Sequence, residues 1–290
     1  MMKRFFVIAL FVLGFGQLYA QPVRDTAWTK AGYFGLKLTQ VSLSSWSAGG
    51  ESALAFDSQI TYSADFKRDR QLWQNRLELG YGLTKNDGKS ARKTNDKIYF
   101  ASTYGYQIYK TLYWSALLNF NTQFAKGYDY NIEDSDFISK FMAPGYLMIG
   151  TGVTWSPNKI FTATFTPASW RGTIVADSRL SDEGAFGVDK GKHLLSEFGA
   201  NLKAEVNYEF LPNMKVYSRL ELYSNYLKDP QNIDVRWEVQ LNMAINKWFS
   251  TTLTTNLMYD DDVKIAQKDG TKGSRVQFKE ILGVGVQFNF

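Results

Sequence analysis

The sequence predicts an all-β protein, a single transmembrane antiparallel up-and-down β-barrel of about twelve strands with both termini on the periplasmic side. Three observations carry this prediction. Hydrophobic residues recur with a period of two almost everywhere after residue 30. The connections between the alternating segments are alternately short and long. Tryptophans collect beside the short connections.

The chain of 290 residues opens with Lys3-Arg4, an apolar run from Phe5 to Gly16, and Leu18-Tyr19-Ala20 before Gln21. This is the pattern of a secretory signal peptide, and the apolar run falls short of the roughly 20 residues a spanning helix needs. Residues 1–20 are therefore read as a signal, 21–32 as a short periplasmic segment and 33–290 as the barrel. No later segment is apolar enough for a membrane helix.

The period of two is clearest in "NIDVRWEVQLNMAIN" (232–246), where Val235, Trp237, Val239, Leu241, Met243 and Ile245 alternate with Asp234, Arg236, Glu238, Gln240 and Asn242. "NLKAEVNYEF" and "WQNRLELGYGL" repeat it. A helix would scatter these charges around its circumference, whereas a strand puts them on one side. Twelve such segments are predicted, at about 33–45, 50–66, 70–84, 94–109, 111–126, 139–156, 159–168, 194–210, 213–227, 232–246, 248–260 and 276–290. The short turns (67–70, Lys110, 156–159, 211–213 and 246–247) interleave with longer loops (85–93, 127–138, 169–193, 228–231 and 261–275). Short periplasmic turns and long outer loops describe an outer-membrane barrel. The sheet must close because a backbone polar group facing lipid has no partner.

Trp73, Trp114, Trp155 and Trp248 lie within a few residues of short turns. With the terminal Phe290 they are read as a periplasmic aromatic girdle, since such side chains favour the membrane interface. The chain ends "VGVQFNF", a terminal aromatic on an amphipathic strand, which implies the barrel-insertion machinery as a partner. In "VSLSSWSAGGES" (41–52), Gly49-Gly50 are read as supplying the positive φ of the first outer hairpin turn. Trp46 beside them is read as an outer-leaflet anchor or an aromatic folded over the barrel mouth.

The polar faces carry Arg76, Lys203, Arg219, Arg236 and Lys279 against Glu78, Glu205, Glu209, Glu221 and Glu238. Two readings stay open: opposite charges pairing to fill a narrow barrel, or charge rings selecting solutes in a pore. Interior side chains this large argue against a wide general porin.

The composition removes several chemistries. With no Cys there is no disulfide framework, thiolate metal site or Cys nucleophile, and one His denies a multi-His metal site. The formal charge of +5 falls to +3 without Lys3 and Arg4, too small a surplus to argue nucleic-acid binding. Asp260-Asp261-Asp262 form a candidate rim site for a hard cation, but lack calcium-loop spacing and read better as a solvated acidic rim. Glu133, Asp134 and Asp136 read the same way. The basic run Lys85 to Lys97 is read as a loop that is either facing anionic lipopolysaccharide or simply solvated. No bound metal or cofactor is expected. An outer-membrane lipid or lipopolysaccharide hydrolase is the alternative. It rests on His193 near Ser178, Ser181 and Ser196, without a Gly-x-Ser-x-Gly elbow. A secreted soluble β-protein is the third reading.

The motifs "SWSAGG", "GAFGVDKGK", "EFGANLKAEVNYEF", "LYSNYLKDPQNIDVRWE", "MYDDDV" and "VQFKEILGVGVQF" occur in this order. Over residues 33–290 the chain resembles an uncharacterised family of outer-membrane barrels from Bacteroidota, a domain of unknown function. Ser45 stands before Trp46 where many relatives are expected to carry Asn, so no side-chain role is transferred to position 45. The resemblance implies fold and outer-membrane location, and no activity. The leading functional expectation is thus a non-enzymatic barrel acting as a narrow channel, a small-solute pore or a structural barrel.

Overall fold

The computed structural model describes residues 27–41, 52–86, 88–130, 132, 136–261, 264–266 and 272–290. The signal segment, Trp46, Gly49, Gly50, Glu133, Asp134 and Asp262 lie outside them. Twelve long strands close a barrel: β1 Trp28–Val41, β2 Ala53–Arg68, β3 Gln71–Asn86, β4 Arg92–Tyr109, β5 Leu112–Thr122 and β6 Gly145–Trp155 form the first half. β7 Phe161–Ile174, β8 Leu194–Leu211, β9 Met214–Asn225, β10 Ile233–Ala244, β11 Phe249–Tyr259 and β12 Gln277–Asn289 form the second. Each strand pairs antiparallel with its sequence neighbours, and β1 pairs with β12 from Tyr33↔Asn289 to Lys37↔Gly285. Gly32 and Phe290 exchange two backbone hydrogen bonds at the seam, of 2.6 and 3.0 Å. Each of the twelve strands thus has a neighbour on both sides, as closure in lipid requires.

The loop alternation of the sequence is present. Two-residue turns follow β2, β4 and β8, while 123–144 and 175–193 form the two longest described connections at the opposite end. The outer face carries Ile60, Ile149, Phe165, Phe198, Leu202, Trp237, Leu282 and Val284, all exposed. In a soluble protein this would be a fault; around a closed barrel it is the lipid-facing band of an outer-membrane protein. At the short-turn end Trp73, Trp114, Trp155, Trp248 and Phe290 are all exposed. Trp28 lies beside them, 5.3 Å from the Phe66 ring and 5.8 Å from Trp73.

Strand boundaries differ from the sequence reading in both directions: β5 ends at Thr122 and β6 begins at Gly145, inside the predicted 111–126 and 139–156, whereas others extend beyond their predicted ends. β1 begins at Trp28 instead of about 33, so the segment 28–32 belongs to the barrel. β7 runs to Ile174, taking Ser169 to Ile174 out of the loop predicted at 169–193. β4 begins at Arg92, so the end of the supposed basic loop is strand. In each extension polar residues at a strand end were read as loop, although inward-facing positions of a barrel are polar by design.

The outer connections have their own structure. Gly127–Tyr128 pairs with Phe137–Ser139, and a five-residue helix, Ser178–Asp182, follows β7. Ala143, Val175, Leu180 and Val188 form a small buried apolar core there, with Phe137, Ala185, Phe186 and Leu195 packed against it. Asp177 caps the helix by accepting from the Leu180 N–H at 3.0 Å and pairs with Lys140 at 2.5 Å.

Candidate functional site: a charge belt across the lumen

The inward positions of β3 place Arg76 and Glu78 two residues apart. Those of β4 place Lys97 and Tyr99, those of β9 Tyr217, Arg219 and Glu221, and those of β10 Arg236 and Glu238. In a ring of twelve, β3 faces β9 across the diameter and β4 faces β10. The side chains are long enough to meet. Arg219 reaches Glu78 at 3.2 Å and Glu238 at 2.6 Å, while Lys97 reaches Glu78 at 2.5 Å and Glu238 at 3.0 Å. Arg76 adds a third cation to Glu78 at 2.5 Å. Two carboxylates and three cations thus form one network spanning the barrel at mid-height.

Aromatic faces complete it. The Arg219 guanidinium lies 4.1 Å from the Tyr99 ring centroid and that of Arg76 lies 4.3 Å from Tyr217. Tyr217 donates to Glu205 at 2.8 Å, and Lys203 pairs with Glu205 at 3.2 Å. Gln240 donates to Gln59 at 3.1 Å, a second cross-lumen contact. Glu78 is 1 % exposed and Arg219 6 %. Charges so deeply removed from water persist only when several partners hold them, and Glu78 has three.

The belt divides the lumen. On the short-turn side lies a vestibule of about 760 Å³, lined by Tyr33, Arg76, Asn207, Lys215, Tyr217 and Asn242 among others. On the loop side lies a cup of about 220 Å³, bounded below by Glu78, Arg219 and Glu238. Gly80 and Gly82 of β3 shape its wall. A Cβ at Gly80 would stand 2.9 Å from Asn95 Nδ2 and one at Gly82 2.7 Å from Asp57 Oδ2, so glycine makes room for the Asn95–Asp57 hydrogen bond of 3.0 Å.

A second buried cluster sits nearer the outer mouth. Arg171 grips Glu197 with two hydrogen bonds of 2.7 and 2.6 Å and reaches Asp234 at 2.6 Å, with the Tyr223 ring centroid 4.0 Å away. Bidentate geometry of this kind is the strongest that arginine makes with a carboxylate.

The lumen charges read from the sequence, Arg76, Glu78, Lys203, Glu205, Arg219, Glu221, Arg236, Glu238 and Lys279, therefore all sit on inward strand positions, and six of them line the cup. Glu209 pairs with Lys215 at 3.4 Å in the open lower mouth. Lys97, Tyr99, Tyr217, Arg171, Glu197 and Asp234 were missed as site residues. The Lys85–Lys97 reading is corrected for its last two lysines. Lys93 bonds Asp96 at 2.7 Å, and Lys97 is a member of the belt, so neither is a loop charge offered to lipopolysaccharide. In the acidic rim, Asp261 is spent inside the protein: it accepts from Asn232 at 2.8 Å and Tyr259 at 3.0 Å, and its carbonyl from Ser274 at 2.8 Å. No group of three His, Asp or Glu suited to a metal occurs among the described residues.

The hydrolase alternative finds no support. His193 directs Nδ1 at the Val175 carbonyl, 2.7 Å away, and Ser181 donates to the Lys192 carbonyl at 2.7 Å. Both groups hold loop backbone in place.

Comparison with known proteins returns two family models, each described as a protein of unknown function: DUF3078 over residues 38–128 and DUF481 over residues 170–274. Neither match reaches half of the chain. No curated protein matches. Among solved structures, the chain is similar to an outer-membrane channel from Pseudomonas putida F1, with a TM-score of 0.39, 9% identity, and coverage of 91% of this chain and 95% of that one. It is similar to the NanC porin with a TM-score of 0.38, 10% identity, and coverage of 88% and 98%. It is similar also to the translocator domain of the autotransporter NalP from Neisseria meningitidis, with a TM-score of 0.35, 9% identity, and coverage of 91% and 87%. The barrel here rests on its own strand pairing.

Proposed function

We propose that this chain is a narrow outer-membrane channel for small solutes, constricted at mid-height by the Glu78–Arg219–Lys97–Glu238 belt. The observation that supports it most is the division of the lumen into two cavities by one layer of paired side chains. A barrel that served only as a membrane scaffold gains nothing from a vestibule of about 760 Å³. A wide porin would not carry ion pairs from wall to wall. Paired opposite charges at a constriction disfavour bulk ion flow while leaving hydrogen-bonding groups for polar solutes. The outer apolar band implies lipid as the surrounding partner, and the terminal "VGVQFNF" implies the barrel-insertion machinery. The motif resemblance makes a Bacteroidota source the inference for origin.

Swelling of liposomes carrying the refolded barrel tests the proposal. Slow swelling in solutes of about monosaccharide size or smaller, and none in larger oligosaccharides, is expected. Equal swelling in both would overturn the constriction. No swelling in any solute would favour the structural barrel.

A further inference from the structure

The charges of the outer cup are not all spent. Lys37 of β1 and Lys279 of β12 project into it from adjacent strands, and neither has a carboxylate within 4.0 Å among the described residues. Arg236 touches the Tyr146 ring, 5.1 Å from its centroid, and likewise has no ion pair. The cup's carboxylates are differently placed. Glu78 and Glu238 are committed to the belt, Glu221 stands 3.8 Å from Arg219 Nε, and Asp57, which faces both lysines, accepts from Asn95. Lys37 is 6 % exposed, with its stem lying over Gly283, where a Cβ would stand 2.4 Å from it. An ammonium so enclosed, with Asp57 facing it but beyond ion-pair distance, is costly unless a closer anion fills that role.

Polar atoms are also left over in the wall of the same cavity. Tyr99 Oη, Asn119 Oδ1 and the carboxylate oxygen Glu221 Oε1 are buried without a hydrogen-bond partner. Buried polar atoms rarely stay unsatisfied. Two ammonium groups without an ion pair on one wall and amide side chains on the others form a complementary set.

We propose that the outer cup is a binding site for a small organic anion, a carboxylate carried on a hydroxylated chain. Lys37 and Lys279 receive the charge, and polar side chains on the rest of the cup's lining, Asn95, Asn121 and Asn256 among them, face the hydroxyls. This names a solute class for the channel reading, yet it is tested without transport, so a silent channel would sink that reading and leave this one standing.

The test is calorimetric titration of the refolded full-length barrel in detergent with gluconate and with sorbitol, which replaces the carboxylate by a neutral hydroxymethyl group. Saturable gluconate binding at one site, at least tenfold tighter than sorbitol and weakened by salt, is expected. In the Lys37→Gln/Lys279→Gln variant, checked for its heat-modifiable gel shift, gluconate affinity should fall at least tenfold while any sorbitol binding stays unchanged. Gluconate binding no tighter than sorbitol, or unchanged in a folded double variant, would overturn the proposal. Should the variant fail to fold, the gluconate-to-sorbitol ratio of the native barrel decides alone.

Discussion

The molecule has two interiors of opposite character. The lumen is filled by Arg, Lys, Glu, Tyr and Gln side chains, whereas the folded outer loops enclose Ala143, Val175, Leu180 and Val188. The difference follows from the solvent on the far side of the wall. Each strand has apolar residues facing lipid, so the alternate residues facing inward are polar and must satisfy one another. The loops project into water, and there the ordinary rule of apolar residues inside returns. One chain therefore stabilises its centre by charge complementarity and its periphery by hydrophobic burial.

The largest effect that would sharpen this contrast is expected at Glu78. Replacing it by Gln leaves Arg76, Lys97 and Arg219 with Glu238 as the one carboxylate of the belt. Loss of one partner from a buried pair typically costs about 3–5 kcal/mol. A refolding titration in urea should show this as a lowered midpoint, and a neutral result would mean that water reaches the belt. In the other interior, Leu180→Ala removes the largest member of the loop core and should cost about 2–5 kcal/mol of local stability. Its signature should be faster proteolysis between 175 and 193 with the barrel's heat-modifiable migration unchanged. If barrel and loops failed together, the two interiors would be one cooperative unit.

A third environment, the lipid face, is probed by Val239→Arg. Val239 pairs with Ser218 and Thr255 near the middle of β10, and arginine at the bilayer midplane costs about 2–4 kcal/mol. A neutral outcome would invert the assignment of faces.

The smallest effect is expected at the helix cap in the outer loop. The Lys140 ammonium, and then the Leu180 N–H, hold the Asp177 carboxyl below the ordinary carboxylate value. A depressed folded-state value gives stability that is present above the ordinary carboxylate range and is lost as pH falls through the lowered value. Hydrogen exchange at Leu180 and Ser181 should therefore lose protection only in acid, below the usual carboxylate range, and Asp177→Asn should remove that dependence. An unchanged acid profile in the variant would show that another group anchors the loop.

Much of the barrel was legible in the sequence because its physics has one period. Alternation located twelve strands, and Arg219, Glu221, Arg236 and Glu238 emerged as inward simply by lying opposite Leu220, Leu222, Val235 and Trp237. The partners were not legible. Nothing in a period of two says that Glu78 meets Arg219 rather than an adjacent strand, because cross-diameter contact depends on strand count and side-chain length. Arg171 falls in a loop drawn too wide, since a polar strand end resembles a loop, and Lys97, inside the predicted strand 94–109, is masked by its grouping with the basic run that precedes it. Tyr99 was hidden in the run Ile98-Tyr99-Phe100, where an inward aromatic between two outward apolar residues blurs the alternation. Trp28, by contrast, lay on the outward face of a segment whose period was already visible two residues later.

The central claim is that the belt constricts the lumen, and planar-bilayer recording of the native barrel beside a Glu78→Gln/Arg219→Met variant tests it most directly. The double substitution removes one charge of each sign and the shortest route across the diameter. The account predicts small, infrequent conductance from the native protein and a several-fold larger, steadier conductance from the variant. A large steady conductance in the native barrel, or the same trace from both proteins, would contradict it.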